Sequence, residues 1–190
     1  MNTGQTLFVL AAFALLSTLT LDVNASLITM TTTGLEMETS LDALSVGQSL
    51  MDEILSKEFD EKTTGGTRAF SYDDVTPLGG FGPDGGAEAI VGNGGIDSSR
   101  SGKFQSKTRF DDVDDYHRYQ RTSWDPRMGW FHVSVAVCYV SEDAPYTVAL
   151  SPTFCKKITV TIDHPNLSKD ANGQIVPVVM SDLSVYRRYF

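Results

Sequence analysis

The stretch Leu7–Leu21, LFVLAAFALLSTLTL, decides how the rest of the chain is read. Its only non-apolar members are Ser17, Thr18 and Thr20, and no lysine or arginine occurs before Lys57. This uncharged run opens an otherwise acidic chain of 190 residues with a formal net charge of −9. Three roles fit it: a secretion signal that is removed, a membrane anchor that stays, or a helix forming the core of an assembly. A secretory signal normally has a basic n-region, and a spanning helix wants about 20 apolar residues. Val23-Asn24-Ala25 before Ser26 fits a small-residue cleavage site, so the signal stays among the alternatives.

Beyond Asp22 the pattern changes without breaking. Leu27, Met30, Gly34, Met37, Leu41, Leu44, Gln48, Met51 and Leu55 recur at alternating steps of three and four, which lays one stripe along a helix. Val46, Leu50 and Ile54 widen the stripe, and Glu36, Glu38, Asp42, Asp52 and Glu53 make the wet face. At about 1.5 Å per residue, a helix from Gln5 to Ser56 is longer than a small head can bury. Thr29–Gly34, TMTTTG, joins β-branched residues to a glycine, and a weak joint is expected there.

The remainder bounds the function. A sequence pI near 4.7 argues against nucleic acid, since phosphate binding needs a basic surface to release counterions. Thr63–Gly102 is rich in Gly, Pro, Asn and Asp (TTGGTR, PLGGFGPDGG, VGNGGIDSSRSG), the residues of turns. It reads as a surface-draped connection with a short strand or turn at Arg68–Tyr72. Phe131–Val140 and Phe154–Asp163 alternate with a period of two and read as strands, Phe131, Val133, Val135, Val137 and Tyr139 sharing one face. If they pair with Val137 opposite Lys156, then Cys138 faces Cys155, and in an oxidising compartment a disulfide is expected. A last strand is expected within Ile175–Tyr186, with Pro177 at an edge or irregular start. The basic, aromatic end Tyr186–Phe190 either docks on acidic surface or stays solvated.

The fold class that follows is α+β: a long N-terminal helix, apolar then amphipathic, and a C-terminal antiparallel β-sheet head joined by a long Gly-rich loop. The divisions are 1–59 for the helix (apolar 5–28, amphipathic 35–59), 60–109 for the loop and 110–190 for the head. No phosphate-binding loop, Gly-x-Ser-x-Gly or His-Glu-x-x-His occurs, and His117, His132 and His164 sit in no triad motif. The chain is therefore read as a non-enzyme without a required cofactor.

Gly4-Gln5-Thr6-Leu7 resembles a prepilin processing site, Val46–Lys57 is similar to the helix end of minor pilins, and Phe110–His117, FDDVDDYH, resembles a segment of minor pilins of the mannose-sensitive haemagglutinin type. With the apolar helix ahead of a β-rich head, the chain resembles the type IV pilin and pseudopilin family. Two positions depart from that pattern: Met1–Gly4 has no basic residue, and Val9 stands where the family has a glutamate. The resemblance implies a structural subunit of an extracellular type IV pilus-like filament or pseudopilus. Such a subunit waits in the inner membrane, then assembles with copies of itself or other pilin-like subunits at the cell surface. Leu7, Phe8, Leu10, Phe13, Leu16 and Leu19 would form the buried assembly surface, and Gly4 and Gln5 would flank a processed bond. The alternative is a secreted β-rich binding or adhesive domain whose signal is cleaved.

Asp111, Asp112, Asp114 and Asp115 offer the hard oxygen ligands that calcium takes, though without EF-hand spacing. Calcium in head loops of some pilins adds to that expectation. The competing readings are a solvated acidic turn, or carboxylates that cap helices and pair with Arg109, Arg118 or Arg121.

Overall fold

The computed structural model describes residues 2–83, 88 and 110–187. Among them are one long helix, α1 (Thr3–Leu55), and four strands: β1 (Gln120–Asp125), β2 (Gly129–Tyr139), β3 (Cys155–Asp163) and β4 (Val178–Val185). The strands form one antiparallel sheet in the order β1-β2-β3-β4. The fold is α+β, as the sequence pattern implies. The chain divides into two compact units, Met1–Glu38 and Thr39–Phe190, with α1 passing through the division.

The first unit is helix alone, and none of its described side chains is buried. The joint expected at Thr29–Gly34 is not a break; helical backbone continues through it. The threonines account for this locally, because Thr29, Thr31 and Thr32 donate their hydroxyls to the carbonyls of Ala25, Leu27 and Ile28. A hydroxyl satisfied inside its own helix no longer competes for the backbone in other conformations.

In the second unit the last turns of α1 bury Thr39, Ala43, Gly47, Leu50, Met51 and Ile54. Met51 of the sequence stripe and Leu50 and Ile54, which widen it, are buried, whereas Leu41, Leu44 and Leu55 remain exposed. Upstream of Leu50, Thr39, Ala43 and Gly47 fill the buried face, and at Gly47 the sheet packs close. A Cβ on Gly47 would lie 2.7 Å from both Ile162 Cδ1 and Met180 Sδ. Leu50, Met51 and Ile54 join Phe131, Val133, Val135, Val137, Ile158, Val160 and Ile162 in the main core. Each such side chain contributes about 1.5–3 kcal/mol by leaving water.

β2 buries the alternate set Phe131, Val133, Val135, Val137 and Tyr139, as its period of two requires. The pairing of β2 with β3 differs from the expected register by two residues. Val137 faces Ile158, Cys138 faces Lys157 and Tyr139 faces Lys156. β4 begins at Val178, just past Pro177, and β1 is a polar strand that the sequence reading did not contain.

After α1 the chain runs through short 3-10 turns at Glu61–Gly66, Tyr72–Asp74 and Leu78–Gly80. Arg68–Tyr72 forms no strand; its end enters the turn Tyr72–Asp74. A second core gathers Phe59, Ala69, Val75, Tyr139 and Phe154. Tyr186 packs on the rings of Phe59 and Phe154, and its hydroxyl accepts the N–H of Ala69. Most of the glycine-rich loop, 84–87 and 89–109, and tail residues 188–190 lie outside the described residues.

Candidate functional site

Two features of the molecule carry chemistry. The first is the outer surface of α1. Leu7, Phe8, Leu10, Phe13, Leu16 and Leu19 are all exposed, Phe8 at 76%. By length and composition α1 holds a stretch able to cross a membrane, a measure that a signal sequence also meets. Gly4 and Gln5 lie in the first turns of the same helix.

The second feature is polar and internal. Val113 N donates to the carbonyl of Glu58, and Glu58 N to that of Asp111, so the aspartate segment runs parallel to the residues that follow α1. That pairing brings Asp114 beside Asp60. Into this space β3 projects Lys156, which is wholly buried. Its Nζ donates to Asp114 Oδ1 at 2.7 Å, to Asp60 Oδ2 at 2.8 Å and to the carbonyl of Phe59 at 2.8 Å. Nζ also lies 4.5 Å from the ring centre of Phe59, 5.0 Å from Phe81 and 5.4 Å from Tyr139. An ammonium so placed gains from both the carboxylates and the ring faces.

The carboxyls around it are not equivalent. Asp60 accepts hydrogen bonds from Lys62 N, Thr76 N, Thr76 Oγ1 and Tyr139 Oη besides Lys156. Burial alone would raise its pKa, but the charge of Lys156 and these donors outweigh it and hold the carboxyl below its usual range. For Asp114 burial prevails over Lys156, and its pKa is raised. Asp112 is pushed up to about 9, first by burial and then by the charge of Asp114. One of its oxygens accepts from Asp115 N, while Oδ2 is buried and receives no hydrogen bond. Asp114 is the nearest charge acting on Asp112. Asp115 is raised to about 6, again chiefly by burial.

The four aspartates expected to ligate calcium therefore divide. Asp112, Asp114 and Asp115 turn inward, and Asp114 already gives an oxygen to an internal ammonium. Asp111 is exposed, and its carboxylate converges with those of Glu61 and Glu88, oxygens within 4.8 Å of one another. Of the three arginines considered as partners, Arg121 pairs with Glu53 of α1 at 3.0 Å; Glu53 also accepts the hydroxyl of Tyr116.

The expected disulfide does not form. Cys138 and Cys155 are free thiols, because the register sets Cys138 opposite Lys157 and Cys155 opposite Val185. The cysteines are left diagonal to each other, and diagonal positions are about 7–8 Å apart, too far for a bridge. Burial raises both thiols. Cys155 lies in the wall of an open cleft of about 530 Å³, with Glu142, Phe154 and Leu183. Two histidines serve the backbone: His117 Nδ1 accepts from Val137 N, and His164 bridges Met128 O and Asn166 N.

Lys156 was missed as a site residue. Its signal was a lone lysine at an inward position of an otherwise apolar strand face shared with Ile158, Val160 and Ile162. Compared with known proteins, the chain matches no family model, no curated protein and no solved structure.

Proposed function

We propose that the chain is a structural subunit of an extracellular filament of the type IV pilus or pseudopilus kind, held in the inner membrane by α1 before assembly. The observation that carries this reading is the apolar surface of Leu7, Phe8, Leu10, Phe13, Leu16 and Leu19. None of these belongs to either core of the head, whose members all lie from Ala43 onward. Six large side chains left in water are unfavourable at about 25 cal/mol for each Å² of apolar surface. A bilayer relieves that cost before assembly, and helices of neighbouring subunits relieve it in a filament. The partners are then copies of the same chain or other pilin-like subunits, packed through Leu7–Leu19, with the β head outside.

Residues 4–7, Gly-Gln-Thr-Leu, supply the candidate processing site, cut between Gly4 and Gln5. The test combines the mass of the native N-terminus with electron microscopy of material sheared from the cell surface. Filaments built from a chain beginning at Met1 or Gln5 support the reading. A soluble chain beginning at Ser26 overturns it and favours the secreted adhesive domain, for which Val23-Asn24-Ala25 is the motivating sequence.

A further inference from the structure

We propose that Lys156 and Asp114 condense into an intramolecular amide, so that β3 is covalently tied to the turn Asp114–Tyr116. The inference goes beyond the filament reading and does not depend on it. It begins with geometry. The amine nitrogen lies 2.7 Å from Asp114 Oδ1, which puts the carboxyl carbon one bond further, near the separation of about 3–3.5 Å at which bound groups react. Both side chains are at most 4% exposed. The rings of Phe59, Phe81 and Tyr139 close over the nitrogen, so the water that would hydrate the charges and oppose condensation is excluded.

A buried ion pair is the ordinary explanation of such a contact, but the stoichiometry here exceeds one. Two carboxyls, Asp60 and Asp114, hold a single ammonium, with the buried Asp112 next to Asp114, and buried charge without full compensation is costly. Their environments assign distinct tasks. Asp60, held by five donor groups, stays a carboxylate and is placed at 2.8 Å to take a proton from the ammonium. Asp112, the buried neighbour of Asp114 whose Oδ2 receives no hydrogen bond, is assigned the role of the acid that protonates the Asp114 carboxyl. Asp114 is thereby the electrophile and Lys156 the nucleophile.

The step balances without a co-reactant. Asp60 takes one proton and the free amine attacks Asp114 Cγ, forming the N–C bond. The nitrogen then loses a second proton, the C–O bond to the former carboxyl oxygen breaks, and that oxygen leaves as water carrying the two protons the ammonium gave up. Asp60 and Asp112 return to their starting states, and two buried charges are replaced by one neutral amide.

Tryptic mapping of the full-length folded protein tests this directly. A linked product blocks cleavage after Lys156 and joins Phe110–Arg118 to Met128–Lys157, lighter than the two peptides together by one water. That branched species is the expected result. Linear Phe110–Arg118 together with a free Met128–Lys156 overturns the proposal, as does a branch from Lys156 to Glu58–Lys62, which would make Asp60 the partner. Asp112→Asn keeps the side chain's size and removes the acid; with the head still folded by circular dichroism, link formation is expected to slow by about 10²-fold or more. An undiminished rate in that variant overturns the role given to Asp112.

Discussion

One helix serves two environments. From Leu7 to Leu21 α1 is almost wholly apolar and wholly exposed, whereas from Thr39 to Ile54 it is mixed in composition and buries a narrow face of small and medium residues. The hydrophobicity of a segment therefore does not foretell which part of it the protein itself buries. The buried half matches one sheet at close range, so shape selects Thr39, Ala43 and Gly47. The exposed half matches no surface of its own unit, and bulk suffices for a lipid or a bundle of like helices. Packing of the first kind is sensitive to a methylene, while partition into an apolar medium is sensitive mainly to charge.

The sharpest way to break this contrast is to put the same charge in both halves. Leu50→Asp places a carboxylate where the native side chain is fully buried among Val133, Val135 and Ile158. The loss should exceed about 4 kcal/mol, in the range reserved for unpaired buried charge. The head should then be unfolded at room temperature by near-ultraviolet circular dichroism. A cooperative transition near the wild-type midpoint would mean that α1 does not anchor the head.

Glycines offer a gentler version. Gly47→Leu must displace Ile162 and Met180, for even a Cβ there is within 2.7 Å of each, and overpacking of this kind costs about 1–3 kcal/mol or more. Gly34 has nothing within 4 Å of its would-be Cβ. Gly34→Ala should therefore gain up to about 1 kcal/mol of helix propensity, read as higher helicity by far-ultraviolet circular dichroism. If both substitutions shift the thermal midpoint of the head alike, the close approach at Gly47 is wrong.

Much of this architecture is legible from period alone. The alternation in Phe131–Tyr139 and Lys156–Ile162 marks both central strands, and the uninterrupted pattern from Leu7 to Leu55 marks α1. Register is not legible in the same way. A slip of two residues returns every side chain to its own face, so the pairing of Val137 with Lys156 or with Ile158 satisfies alternation equally. In the register adopted Lys156 lies opposite Tyr139 and reaches Asp60 and Asp114. Those partners are 96 and 42 residues away in sequence, beyond any local pattern. β1 was invisible for another reason: Gln120–Asp125, QRTSWD, is a polar edge strand with no alternation to detect.

A pH dependence of stability is expected in the buried half of the molecule, where Asp115 lies. Asp115 ionises at about 6 when folded against 3.8 otherwise. The folded state thus binds the extra proton between those values, and stability present below pH 4 is lost as pH rises through 6. Asp115→Asn has no proton to lose there. Its midpoint relative to wild type should climb by a few degrees between about pH 4 and 6 and then level. A constant difference across that window would show that Asp115 is not held protonated by its surroundings.

The smallest effect on the head, and the one that completes the comparison, is expected from Phe13→Asp. Phe13 is 63% exposed and belongs to neither core, so the head should keep its midpoint within about 0.5 kcal/mol, as distant surface changes do. The same carboxylate costs about 2.5–3.5 kcal/mol near the centre of a bilayer, and as much again has to be borne at every repeat of a filament core. Membrane retention and filament yield should therefore fall while the purified head remains folded. Leu50→Asp and Phe13→Asp then form one experiment: a single charge, placed 37 residues apart on the same helix, removes the head in one case and the assembly in the other. Normal filaments from Phe13→Asp would mean that the apolar half of α1 is not an assembly surface at all.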